Sequence, residues 1–89
     1  MDYRERKYYL VKRYSWIDTN VVMNLLKNID SIKIHLQKHE YGKLYTYIKI
    51  SFKVEDEYKL DKVRKELDER FVTYIHFREL KSEENKSDV

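Results

Sequence analysis

The chain has 89 residues, of which 39% are charged and 42% hydrophobic, and it has a net charge of +3 and no cysteine. This length fits one domain, and the lack of cysteine excludes disulfides, zinc ribbons and thiol chemistry. No apolar run approaches the roughly 18 residues of a membrane helix, and the N-terminal apolar stretch is too short for a signal peptide. We therefore expect a cytoplasmic protein that does not contact membranes.

The first half of the chain predicts a strand, a helix and a second strand. Residues 7–14 are rich in aromatic and β-branched side chains, which favours a strand. Asp18 or Thr19 can cap a helix whose apolar residues recur at helical spacing, namely Val22, Leu25, Leu26 and Ile29. The period then changes to two, with Ile32, Ile34 and Leu36 expected to point inward and Lys33, His35 and Gln37 outward.

The second half of the chain predicts the same succession of strand, helix and strand. Gly42, the only glycine, predicts a hairpin turn before a strand whose even-numbered residues, 44–52, point inward. Asp56 can cap a second helix, which buries Leu60, Val63 and Leu67. Residues 71–78 alternate again, which predicts a last strand with its odd-numbered residues inward. Residues 1–80 should form a single domain, and residues 81–89 should form a disordered charged tail.

The predicted order of elements indicates the fold. Right-handed crossovers place both helices of a β-α-β-β-α-β chain on the same side of the sheet. The economical solution is an α+β ferredoxin-like plait, a four-stranded antiparallel sheet with two helices on one face. The opposite face of the sheet is then open.

The sequence contains no pattern that is typical of an enzyme or a cofactor site. One glycine is too few for the phosphate-binding loops of nucleotide-binding proteins. His35 and His39 lie about 13 Å apart along a strand, too far to share a metal ion. We expect no metal and no cofactor, and a metal-dependent nuclease remains only as an alternative.

The outward residues of the predicted strands form a candidate binding surface. On the first strand either Tyr8, Leu10 and Lys12 or Tyr9, Val11 and Arg13 can face outward, and we choose the second set. The candidate residues are then Tyr9, Arg13, Lys33, His35, Lys43, Tyr45, Tyr47, Lys49, Tyr74, His76 and Arg78.

Aromatic rings among cations favour binding of single-stranded DNA or RNA. Each base has a π-face that can stack on tyrosine, and its phosphate attracts lysine and arginine. Basic residues also outnumber acidic ones in residues 1–50, whereas the reverse holds in residues 51–89. A basic edge could therefore add to the binding, using Arg4, Arg6, Lys7, Lys12 and Arg13.

The third predicted strand resembles that of RNA-recognition motifs. In that family a basic residue is followed by outward aromatic residues two and four positions later, as at Lys43, Tyr45 and Tyr47 in KLYTYIKI. Tyr9 in YYLV is similar to the aromatic residue of the family's first strand. The resemblance implies that these tyrosines stack on RNA bases. Leu44 and Thr46 stand where the family has glycines.

Two alternatives to nucleic-acid binding follow from the same residues. Tyrosine-rich sheet faces also form protein interfaces, so the chain could be a protein-interaction module or a homodimer, including a small viral inhibitor or adaptor. The segment His35-Leu36-Gln37, with Tyr58 opening a helix, resembles HUH-type replication endonucleases. That resemblance implies a nuclease, but the segment lies on a different strand from the family's motif, and the usual downstream motif is missing.

Overall fold

A computed structural model describes residues 5–39, 44–72 and 74–81. The elements in chain order are β1 (Arg6–Tyr14), α1 (Thr19–Leu26), β2 (Lys33–His39), β3 (Tyr45–Lys53), a 3-10 turn (Val54–Asp56), α2 (Glu57–Phe71) and β4 (Ile75–Leu80). The strands form one four-stranded antiparallel sheet in the order β2-β3-β1-β4. The predicted ferredoxin-like topology is confirmed.

The core lies between one face of this sheet and the two helices. The helices contribute the predicted apolar stripes, Val22 and Leu26 from α1 and Leu60, Val63 and Leu67 from α2. These side chains pack on inward residues of the two central strands and of β4, including Tyr9, Val11, Ile48, Ile50, Phe52 and Ile75. Burial of these apolar side chains is the main favourable contribution to the free energy of folding.

Both helix starts lie where the capping residues predicted them. Asp18 caps α1, because its carboxylate accepts a hydrogen bond from the Asn20 backbone nitrogen at 2.9 Å. Asp56 stands at the start of α2, but its carboxylate accepts a hydrogen bond from the Ser31 hydroxyl at 2.7 Å rather than capping the helix. Ser31 Oγ also accepts from the Lys53 backbone nitrogen at 2.7 Å, so it joins the chain before β2 to β3 and α2.

The predicted orientation of β1 is wrong. Tyr9, Val11 and Arg13 are buried on the helix side of the sheet. Their neighbours therefore face the other side, where register aligns Tyr8 with Ser51 and Lys12 with Tyr47. The two sets are almost equal in apolar character, so alternation alone does not distinguish them.

The predicted alternation of β2 holds as far as Ile34 and is wrong from Leu36 onward. Ile34 pairs with Ile50 on the helix side, as predicted, but a register shift follows between Ile34 and Leu36. Leu36 then pairs with Lys49 and is 47% exposed on the side away from the helices. An extra residue in one strand reverses the alternation beyond it, which is the effect of a β-bulge. Gln37 consequently pairs with Ile48 on the helix side.

The last strand begins later than predicted, because α2 continues through Phe71. Phe71 follows Leu67 by four residues, so it extends the buried stripe of α2 and packs against the core. β4 begins at Ile75 and keeps the predicted inward direction of its odd-numbered residues. The predicted turn at Gly42 and most of the predicted tail lie outside the described residues.

Candidate functional site

We call the face of the sheet that is turned away from the helices the open face. Strand register shows which residues lie on it, and a hydrogen bond to Ser51 places His35 there. Its described strand residues are Arg6, Tyr8, Leu10, Lys12 and Tyr14 on β1; Lys33, His35, Leu36 and Lys38 on β2; Tyr45, Tyr47, Lys49, Ser51 and Lys53 on β3; and His76, Arg78 and Leu80 on β4. Among these residues there are lysines, arginines and histidines, but no aspartate or glutamate. The described carboxylates belong to the helices, the turns, the residue before β1 and the helix side of β4.

At one end of the open face, three strands are joined through the hydroxyl of Ser51. Arg6 donates to Ser51 Oγ from Nε at 3.0 Å and from Nη2 at 2.9 Å. His35 Nε2 lies 2.6 Å from the same oxygen. Ser51 Oγ accepts from Arg6, so it can donate its own proton to His35, and an Nε2 that accepts this proton requires a neutral imidazole. We expect this neutral form of His35.

Burial is the main cause that lowers the pKa of His35 below its usual value, and the neighbouring cations Lys49, Arg6 and Lys33 lower it further. These three cations come from three different strands. Cations therefore surround His35 at this end of the open face.

The middle of the open face consists of two cross-strand rows. One row contains Lys38, Tyr47, Lys12 and His76, and the next contains Leu36, Lys49, Leu10 and Arg78. The side chain of Lys49 is only 7% exposed, whereas Lys38, His76 and Arg78 are exposed. Rows on one face are two residues apart, so the five rows from Arg6 to Tyr14 extend about 26 Å along the strands, and the four strands extend about 14 Å across.

The other end of the open face is aromatic. Tyr14 contacts Tyr45 edge-on at 4.7 Å between ring centroids and Tyr74 edge-on at 5.1 Å. Trp16, in the turn after β1, contacts Tyr74 at 5.4 Å and Phe71 at 6.5 Å. We call these five residues the aromatic cluster. Its members come from β1, β3, the end of α2 and the turns beside them, which meet at this end of the sheet.

A cation lies directly beside the aromatic cluster. The Lys12 ammonium is 4.5 Å from the centroid of the Tyr45 ring, a cation–π contact. The Tyr45 hydroxyl in turn donates to the Tyr14 hydroxyl at 3.3 Å. The cationic rows and the aromatic cluster are therefore one continuous surface.

Most of the predicted binding residues meet on this surface. Register places Lys33, Tyr45, Tyr47, Lys49, His76 and Arg78 on the open face, His35 reaches it through Ser51, and Tyr74 belongs to the aromatic cluster. Lys43 lies outside the described residues. The prediction is wrong for Tyr9 and Arg13, because both side chains are buried on the helix side of the sheet.

Tyr9 and Arg13 contact other residues of the fold instead of the open face. Tyr9 stacks on Phe52 at 5.5 Å and donates from its hydroxyl to Glu57 at 3.3 Å. Burial raises the pKa of Tyr9, as do the carboxylates of Glu79 and Glu57. The Arg13 guanidinium, 1% exposed, donates to the Ile17 carbonyl at 2.6 Å and to the Thr19 hydroxyl.

The predicted basic edge is divided between the two faces. Arg6 and Lys12 lie on the open face, whereas Lys7 faces the helix side with Arg13. The Lys7 ammonium donates to both carboxylate oxygens of Glu57 at 2.9 Å, and this bond raises the pKa of Lys7. Arg4 lies outside the described residues. These residues do not form a single edge.

The sequence prediction missed Tyr14 and Trp16. Tyr14 was missed because the orientation of β1 was reversed. Trp16, the only tryptophan, lies between the end of β1 and the cap of α1, so it belongs to neither periodic pattern. A large aromatic residue in such a turn is a signal of an exposed contact residue that could have been noted.

No protein-family model matches the chain, and no curated protein shows significant sequence similarity to it. Within residues 5–39, 44–72 and 74–81, no group of three or more histidine, cysteine or acidic side chains is arranged to hold a metal ion. No helix in the described part of the chain has the length and apolar character needed to span a bilayer.

A groove lies between the helices, on the opposite side of the sheet from the open face. This groove has a volume of about 350 Å³ and is lined by residues of both helices, including Leu25, Tyr58, Lys62 and Val63. Lys59 at its rim is paired with Asp30 at 2.6 Å. Charges of both signs occur here, in contrast to the open face.

Proposed function

We propose that the protein binds single-stranded nucleic acid on its open face. The observation that carries this proposal is the distribution of charge: lysines and arginines from all four strands lie on the open face, and the one acidic residue of the described strands, Glu79, lies on the helix side. Like charges gathered on one surface repel each other, and a polyanion relieves that repulsion.

The tyrosines favour a single strand over a duplex. Tyr8, Tyr45 and Tyr47 lie among the cations of the two central strands. Unpaired bases can stack on such rings, whereas the bases of a duplex are already stacked on each other. The open face is also long enough for several nucleotides, given its span of about 26 Å.

The proposal is tested by removing open-face charge and comparing the loss with an equal loss elsewhere. The double substitution K12Q/K33Q removes two cations from the open face, and K62Q/K65Q removes two from the exposed side of α2. Binding of a dye-labelled single-stranded oligonucleotide of about ten nucleotides is followed by fluorescence anisotropy at several salt concentrations.

For K12Q/K33Q we expect weaker binding and a shallower salt dependence. If both lysines contact phosphates, the slope of log K against log salt should fall by about 1.4, from about 0.7 per contact on a single strand. K62Q/K65Q should bind nearly as the wild type does. Equal losses in the two variants would show binding by net charge alone, and an absence of binding to DNA and RNA at low salt would refute the proposal.

A protein partner is the second candidate function, and the exposed apolar side chains beside the aromatic cluster favour it. Leu44 and Val72 are both largely exposed there, as is Trp16. Val72 also has a positive φ of 56°, a strained conformation for a β-branched residue that often marks functional segments. A homodimer through two open faces is disfavoured, because it would bring two cationic surfaces together.

A further inference from the structure

Trp16 is an exposed indole that is held in place. It is 63% exposed, although it is the largest apolar side chain in the protein. The turn that carries it is fixed by hydrogen bonds from the Ser15 nitrogen to the Leu44 carbonyl at 2.6 Å and from the Ile17 nitrogen to the Tyr14 carbonyl at 3.0 Å. The edge-on contacts with Tyr74 and Phe71 support the ring itself. An indole that is ordered before binding loses little entropy when a ligand stacks on it.

The surroundings of Trp16 identify the chemistry of its ligand. Tyr74 and Tyr14 extend the aromatic surface from Trp16 to Tyr45, and the Lys12 ammonium lies over the Tyr45 ring. Beyond Lys12, the cross-strand row continues with cations and an imidazole, Lys38 and His76, around Tyr47. A ligand that covers this surface must present a flat ring at one end and negative charge along the rest. An unpaired base joined to a phosphate chain has this composition.

We propose that one unpaired base of a bound strand stacks on Trp16 and that this contact makes the protein prefer single strands to duplexes. This inference depends on the function proposed above and assigns the base to a specific residue. Phosphates are available in single strands and in duplexes alike, so the cationic rows alone discriminate weakly between them. The base faces are available only when the strand is unpaired.

The intrinsic fluorescence of the only tryptophan provides the test. Wild-type protein is titrated with a single-stranded oligonucleotide, with the same sequence as a duplex, and with an abasic oligonucleotide that has the phosphates without the bases. Anisotropy of a dye on each probe reports binding independently. We expect the base-containing single strand to quench Trp16 emission strongly, and the abasic strand and the duplex to bind more weakly without strong quenching.

Substitutions separate stacking on Trp16 from other contacts. W16A should lose between about 5-fold and about 150-fold in affinity for the single strand, the range for one stacked base. Its affinity for the abasic strand and its salt dependence should stay unchanged. W16F keeps an aromatic ring and should retain much of the affinity, which also guards against misfolding of W16A. Y58A removes an exposed tyrosine from α2 and serves as the control.

Three results would overturn the inference, and they are distinguishable. Tight single-strand binding with unchanged Trp16 emission and an unaffected W16A would leave the proposed function standing but place the base elsewhere. Failure of every probe to bind would refute both proposals. A blue shift of Trp16 emission with protein concentration alone, together with a dimer mass by light scattering, would assign the aromatic cluster to a second copy of the chain.

Discussion

The Arg13 guanidinium is buried and joins β1 to the start of α1 through the Ile17 carbonyl and the Thr19 hydroxyl. The sequence predicts Arg13 on the binding surface together with Tyr9 and Val11, but the true orientation of β1 places all three on the helix side. Burial lowers the pKa of Arg13, and the nearby Asp18 carboxylate opposes that effect. Its role is structural.

Replacing Arg13 should therefore reduce stability rather than binding. R13A removes charged hydrogen bonds to buried groups and leaves a cavity, and we expect a loss of about 2–4 kcal/mol in the free energy of unfolding. K65A, on an exposed residue of α2, should change it by less than about 0.5 kcal/mol. Urea denaturation measures both. Equal stability of R13A and K65A would contradict this account, as would weaker nucleic-acid binding by R13A at temperatures where it is fully folded.

The strand and helix predictions succeeded where the hydrophobic period was unambiguous. The stripe of α2 and the alternation of β3 each have strongly apolar residues on one side, so burial selects one orientation. The two faces of β1 are similarly apolar, so only its pairing with β3 and β4 determines which face is buried. The bulge between Ile34 and Leu36 adds one residue to an edge strand, and no glycine marks it. Such local irregularities depend on tertiary pairing, which one sequence does not reveal.

The stability of the folded protein should depend on pH through His35, which lies where three strands meet at Ser51. In the unfolded chain the histidine pKa is about 6.5, and in the fold it is lower because of burial and the neighbouring cations. As pH falls through this value, the unfolded chain binds the proton before the folded protein does. The stabilisation of the folded protein by neutral His35 is thus present above about pH 6.5 and is lost as pH falls to the folded-state pKa.

A comparison of wild type with H35Q tests this pH dependence, because glutamine does not titrate. The stability of the wild type relative to H35Q should be smaller at about pH 5 than at about pH 7. Urea denaturation at both pH values gives the difference, and effects of the carboxylates common to both proteins cancel. A difference that stays constant between the two pH values, or grows on acidification, would show that the Arg6–Ser51–His35 contacts do not hold His35 neutral.

At the scale of the whole molecule, folding converts a modest net charge into two unlike surfaces. The sequence has a net charge of +3, and its first half is the more basic. Strand pairing then collects lysines and arginines on the open face, while the helices have charges of both signs. The sequence alone predicted an open face with Tyr45, Tyr47 and several cations. It did not predict which cations share the open face, because that depends on the true register of β1 and β2.

The aromatic cluster is also a property of the whole fold. The cluster comes from three separate stretches of the sequence, which meet because the ends of β1, β3 and α2 and the turn before β4 converge; its members are Tyr14, Trp16, Tyr45, Phe71 and Tyr74. Alternation within a single strand predicts which side a residue faces, but not which residues from other elements lie beside it. The position of Trp16 beside these rings was therefore the least predictable part of the site.

The central claim, that the open face binds a single strand, is tested most directly by mapping the contact in solution. Nuclear magnetic resonance spectra of the tyrosine rings are recorded while an oligonucleotide of about ten nucleotides is added at low salt. We predict large, saturable shifts for Tyr8, Tyr14, Tyr45 and Tyr47 on the open face, and small ones for Tyr58 on α2. Shifts concentrated at Tyr58 and the groove between the helices, with the open-face tyrosines unchanged, would contradict the account.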